Sequence, residues 1–298
     1  MTSPTRSEIT SDNRMNTEHY HLLSDVMAPE AQQESREILW ERLQSALSAS
    51  EFSLQYYPLW GKTGHLQGAE IQVRWHHPHY GLLQPAQFLS AVIQCDLAGA
   101  LFGWIAAQSL PLLRRLRQEV YPDFYLSLTL PLSLAEQVDT FTVWRQALVA
   151  HDLPCSALAL IWQGALGQNV EAAQLAGLRR VQQQGYAVAL AEYGADYHLL
   201  TALPDLPLDH LYIPAALVAL LPHPEAMLLV KLLLDLAEKM GIRCIAQGVD
   251  DIQRFECLST AGCRHFQGAY LFRPMSAHQL LVMGRLLAES EDEAASRS

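Results

Sequence analysis

The sequence is short of positive charge. Its 298 residues carry 20 Lys and Arg against 31 Asp and Glu, a formal net charge of -11 at pH 7. General nucleic-acid binding and docking on an anionic membrane both need clustered Lys and Arg, so neither partner is expected. Cysteine is scarce and scattered. Cys95, Cys155, Cys244, Cys257 and Cys263 are odd in number and show no CxxC spacing, which excludes a disulfide framework and a zinc knuckle and points to reduced, buried thiols. Long apolar runs are missing too. The most apolar window, Ala226 to Ala237, is broken by Lys231 and Asp235 and reads as a core helix rather than a membrane span. The first residues, MTSPTRSEITSDNRMNTEHYHL, lack the apolar centre of a signal peptide, so a cytoplasmic protein is expected. No repeat of fixed period and no interior low-complexity stretch divides the chain.

What is present is apolar material in short blocks. With 50% hydrophobic residues the chain buries a sizeable core, as two ordinary domains or one large α/β barrel. Residues 1–35 and the acidic tail 289–298 are polar and read as flexible segments around a domain spanning 36–288. A helix from about Arg36 to Ser48 leads to a strand over Phe52 to Trp60. Gly61 to Gly64 then reads as a hairpin turn into a second strand, Gln67 to His76. Beyond it, candidate strands at 124–130, 158–163, 187–193, 210–214, 243–249 and 265–272 alternate with helical stretches such as 98–118, 170–184 and 225–240. Eight short, nearly all-apolar strands covered by helices predict a parallel, closed sheet: an α/β, TIM-like (βα)8 barrel with an antiparallel first-strand hairpin.

The strand ends carry short motifs in a specific order. Gly68-Ala69-Glu70-Ile71-Gln72-Val73-Arg74-Trp75 is followed by His77-Pro78 and Gly81, then Pro85 with Phe88. Farther on come Leu190-Ala191-Glu192-Tyr193-Gly194, Leu206-Pro207-Leu208-Asp209, Ile245-Ala246-Gln247-Gly248-Val249-Asp250, and Gln267-Gly268-Ala269-Tyr270 with Phe272-Arg273-Pro274. Together they resemble the EAL family of cyclic di-GMP phosphodiesterases over roughly residues 40–288, with Glu70 at the first letter of the signature and Arg74 at its closing arginine. Ile71 and Gln72 replace the Ala and Leu. The resemblance implies a barrel mouth where carboxylates and an Asn hold two divalent cations that activate water against a phosphodiester.

Matched position by position, Glu70 is kept and the rest departs. Thr129 stands at the Asn, and Leu160 or Ile161, depending on the frame, stands at a metal glutamate. Ala191 and Glu192 replace paired aspartates, Tyr212-Ile213-Pro214 replaces Lys-Ile-Asp, and Gln247 replaces a glutamate. An amide or a methyl does not neutralise a dication, so the sequence predicts no catalytic set, no metal ligands and no bound Mg or Mn, and a chain that is not an enzyme. Two functions follow from the resemblance: a regulatory module of cyclic di-GMP pathways that binds an unidentified partner protein, or a metal-independent cyclic di-GMP receptor. Arg74 would grip a phosphate in the receptor, with Gln267, Glu70, Gln72, Pro85, Glu192, Asp250 and Arg273 as further nucleotide-binding candidates. A residual phosphodiesterase is the remaining reading. The family's habit of dimerising implies a homodimer. His76, His77 and His79 fit no metal spacing and are read as part of a turn.

Overall fold

The structure is a computed structural model that describes residues 32–61, 64–136, 139–163, 172–191 and 205–296. Helix α1 (Gln32–Ser48) precedes strand β1 (Phe52–Gly61), which turns into β2 (Leu66–His77). The turn closes where Gly61 N–H donates to His65 O at 2.9 Å, and Gly64 sits at φ +92°, a conformation that favours glycine. Then follow β3 (Gly81–Leu83), α2 (Pro85–Gln94), α3 (Ala98–Glu119), β4 (Tyr125–Pro131), α4 (Asp139–Ala150), β5 (Leu158–Gln163), α5 (Ala172–Gln183) and β6 (Ala187–Ala191). The chain continues through β7 (His210–Ile213), α6 (Ala215–Val218), α7 (Pro224–Met240), β8 (Arg243–Gln247), α8 (Ile252–Ala261), β9 (His265–Gln267) and α9 (Ala277–Ser296).

Two compact units divide the chain. The larger, residues 54–72 and 105–298, contains the barrel. Its strands run in the order β1-β9-β8-β7-β6-β5-β4-β2, and pairing of β1 with β2 closes the ring. From β2 through β9 the pairs are parallel, while β1 meets β9 antiparallel with Trp60 opposite Phe266. Eight strands and the leading hairpin are those expected. Side chains alternate in and out along each strand. Leu59, Tyr125, Ala159, Ile161, Ala189, Ala191, Tyr212 and Ile245 form the inner cluster. Alanines on β5 and β6 leave the space that the rings of Tyr125 and Tyr212 fill. Outward residues meet the helices: Trp162 packs against Phe141 at 5.7 Å and Phe266 against Phe255 at 4.8 Å.

The smaller unit comprises the described residues 32–53 together with 73–104. Its core is aromatic: Phe52 stacks on Trp75 at 5.4 Å and touches Phe88 at 5.6 Å and Trp104 at 5.9 Å. Glu51 ties its edge, accepting from Arg42 at 2.5 Å and from Trp75 Nε1 at 2.9 Å. Here β3 pairs antiparallel with the end of β2.

Several elements differ from the sequence reading. Strand β3 was not anticipated, and helices α2, α4, α6, α8 and α9 lie outside the helical stretches named from the sequence. The last strand stops at Gln267 instead of reaching Phe272, because the chain folds over Val249. At Gly268 a Cβ would lie 2.2 Å from Val249 O, and Leu271 and Phe272 donate back to Gly268 O. Residues from Glu289, read as tail, belong to α9 through Ser296. All five cysteines are free thiols. Among the described residues no helix is long and apolar enough to cross a membrane.

Candidate functional site

The C-terminal strand ends of a closed (βα)8 barrel are where such folds place chemistry. Strand register and the two-residue alternation set which side chains arrive there. On β2, Glu70 lies opposite Ser127 of β4, two residues before Thr129. The Thr129 hydroxyl donates to Glu70 Oε1 at 2.9 Å and Gln72 Nε2 donates to the same oxygen at 3.2 Å. Glu70 is only 4% exposed, and a carboxylate so buried has to be hydrogen-bonded. Both of these partners are neutral donors.

On β5, packing shows which of Leu160 and Ile161 faces the barrel. Ile161 belongs to the inner cluster with Ala189 and Ala191, so the side chain pointing into the barrel is Ile161, and Leu160 points outward. Ala191 ends β6 opposite Gln163. Glu192 lies outside the described residues. On β8 and β9, Gln247 and Gln267 face each other in register, and Gln247 Nε2 donates to Gln267 Oε1 at 3.3 Å. Gln267 Nε2 in turn donates to Tyr57 O at 3.2 Å. The two amides thus form a chain anchored on the backbone of β1.

Beneath this layer stands Tyr212, met in the sequence only as a replaced lysine. It is fully buried, and burial pushes its phenol well above the ordinary range, reinforced by Tyr125 and Glu70 and opposed by a hydrogen bond with Ser127. Tyr212 therefore reaches from β7 toward β4 as a neutral plug.

The other candidates fall elsewhere. Asp250 Oδ1 accepts from Ala269 N–H at 2.9 Å, clasping the loops after β8 and β9. Arg273 is exposed and makes no ion pair among the described residues. Arg74 and Pro85 belong to the smaller unit. Arg74 is 6% exposed, and its Nη1 donates to Val73 O at 3.0 Å. Pro85 opens α2 inside a capping box of Gln84 and Gln87, and Phe88 is core. His77 Nδ1 accepts from the N–H groups of His79 and Tyr80, both at 3.2 Å, which gives the histidine group its turn role.

Residues 40–274 match the EAL domain family, and the chain belongs to that family. It is 27% identical over 252 residues to the bifunctional diguanylate cyclase/cyclic di-GMP phosphodiesterase MucR of Pseudomonas aeruginosa, covering 84% of this chain and 37% of the relative. To the cyclic di-GMP phosphodiesterase RocR of the same organism it is 28% identical over 246 residues, covering 79% of this chain and 60% of the relative. The chain thus spans less than two thirds of either protein. Its fold matches the PaMucR phosphodiesterase in complex with c-di-GMP at a TM-score of 0.70 and 26% identity, covering 81% of this chain and 99% of that one.

Family membership corrects one expectation. The sequence predicts no bound Mg or Mn, whereas the phosphodiesterases to which the chain is related use these ions. Oxygen donors at the described strand ends include the Glu70 carboxylate and the neutral oxygens of Thr129, Gln163, Gln247 and Gln267. Among the described residues no group of three or more His, Cys, Asp or Glu is placed to hold a metal ion.

Proposed function

We propose that this chain is a cytoplasmic EAL signalling domain that binds cyclic di-GMP but hydrolyses it far more slowly than the family's phosphodiesterases. One observation carries the reading: the barrel mouth presents Thr129, Ile161, Ala191 and Gln247 where the resemblance calls for an asparagine and carboxylates, leaving Glu70 as the described acid among neutral donors. Attack on a phosphodiester at neutral pH needs an ion-activated water, and that needs concentrated negative charge close to the phosphate. Binding needs less. Amides and hydroxyls serve a dinucleotide, and Glu70, Gln72 and Gln267 of the larger unit are the proposed polar contacts. The c-di-GMP complex of the related PaMucR phosphodiesterase supports the ligand class.

The test is calorimetric titration of cyclic di-GMP in Mg²⁺ or Mn²⁺, with chromatography of the same samples. Saturable binding with no more than traces of linear dinucleotide supports the reading; rapid turnover overturns it.

A second reading, signalling by contact with a partner protein, rests on α7. Leu228, Leu229 and Leu232 there are 69%, 50% and 47% exposed, a row of leucines more exposed than the core-facing side of the same helix requires.

A further inference from the structure

The opposite end of the barrel carries a second polar cluster that the cyclic di-GMP reading does not use. The strands that end in Gln247 and Gln267 begin with Arg243 and His265, and β7 begins with His210. All three border a cleft of about 620 Å³ whose wall also includes Ser156, Gln182 and Asp209. In folds of this kind the N-terminal face ordinarily serves stability alone, and residues there are expected to be mutually satisfied. These are not.

Arg243 has no carboxylate partner among the described residues; its guanidinium lies 5.6 Å from the ring of Tyr125. The cleft's one carboxylate, Asp209, accepts from Val188 N–H at 2.8 Å through Oδ2. His210 is 7% exposed, packs on Tyr125 at 5.4 Å, and its buried Nδ1 has no hydrogen-bond partner. His265 is engaged at Nδ1 by Gln67 Oε1 at 2.7 Å. Arg243 also helps to hold both imidazoles neutral, second only to burial as a cause for each. A cation without a carboxylate partner among the described residues, beside an open cleft, is complementary to an anion.

We infer that this cleft is a second ligand site that receives a phosphate monoester of up to nucleotide size. The volume falls in the range of small-molecule pockets, roughly 300–1,000 Å³. Arg243 supplies the fork that grips phosphate oxygens. Ser156 and Gln182 offer further donors, more directions than the two oxygens of a carboxylate use, and Leu208 and Ile242 form an apolar wall for the organic part.

The full chain is titrated by calorimetry with AMP, inorganic phosphate and citrate. A single saturable site for AMP is expected, weakened at least about tenfold, or 1.4 kcal/mol, by Arg243→Gln. Gln182→Glu, on the half-exposed side of α5, is expected to weaken it similarly by repulsion and does not depend on the fold tolerating the arginine change. Cyclic di-GMP affinity is to stay unchanged in both variants, so failure of this site and failure of the cyclic di-GMP reading are separable. No saturation by AMP or phosphate up to about 10 mM, beyond the millimolar scale of weak binding, overturns the proposal. So do affinity untouched by either variant, binding of citrate alone, and displacement of AMP by cyclic di-GMP.

Discussion

Thr129 gives its hydroxyl hydrogen to Glu70 Oε1 across 2.9 Å, a neutral donor lying where the EAL resemblance places an asparagine. The contact holds the carboxylate of the signature motif in a buried position by hydrogen bonding, alongside the Gln72 amide. Replacing Thr129 with Val keeps the shape and removes the donor. The expected loss is about 2 kcal/mol, the scale for a hydrogen bond to a charged group, read as a lower urea midpoint at constant m-value. Thr129→Ser recovers most of it. Equal stability of Thr129→Val and the parent protein contradicts this role.

Glu51 joins Arg42 and Trp75 in the smaller unit. The hydrogen bond from Arg42 holds its carboxyl below the usual range, against the opposing effect of burial. A carboxylate depressed in this way stabilises the fold above its unfolded-state pKa and ceases to do so as pH falls through its folded value. Glu51→Gln is expected to lower the thermal midpoint at pH 7 and to have little effect at pH 3, checked by calorimetry at both.

His210 and His265 give the pH dependence of the larger unit. Burial, then the charge of Arg243, pushes His210 down to about 3, and the same causes bring His265 to about 4. Between these values and about 6.5, where an unfolded histidine titrates, the unfolded chain binds the protons that the folded chain refuses. Stability is therefore fully present above that upper limit and falls with acidification, by up to about 1.4 kcal/mol per pH unit for each group. Urea midpoints at pH 7, 6 and 5 are expected to decline, and His210→Asn to flatten the decline. A midpoint constant from pH 7 to 5 contradicts it.

Gly177 sets helix propensity against packing. Alanine in the interior of α5 is favoured over glycine by about 1 kcal/mol. Yet a Cβ at this position would lie 2.0 Å from Ala135 O and 2.7 Å from its carbonyl carbon, and backbone does not swing aside as a side chain does. Gly177→Ala is expected to destabilise by more than the propensity gain, with a clear net fall in thermal midpoint; an unchanged or raised midpoint contradicts the close approach.

The barrel was legible because β5 to β8 are short apolar runs between helices, and the hairpin because Gly61 and Gly64 flank its turn. Strand β3 was not, since three residues carry no periodicity. Helix α8 was missed although Asp251 caps it by accepting from Arg254 N–H at 2.8 Å, a signal hidden in the pair Asp250-Asp251. At the mouth, motif order placed Glu70, Thr129, Gln247 and Gln267 on strand ends, and the choice between Leu160 and Ile161 needed the packed core. The cluster of His210, Arg243 and His265 was not legible, because whether a polar residue at a strand start is buried and partnered depends on neighbours distant in the chain.

The central claim is most directly tested by following cyclic di-GMP with saturating Mn²⁺ over a chain that binds it. The account predicts a calorimetric isotherm weakened in Gln267→Ala and linear dinucleotide at no more than trace levels after prolonged incubation. Multiple turnovers within minutes, abolished by Glu70→Gln, would contradict it and make this barrel an active phosphodiesterase.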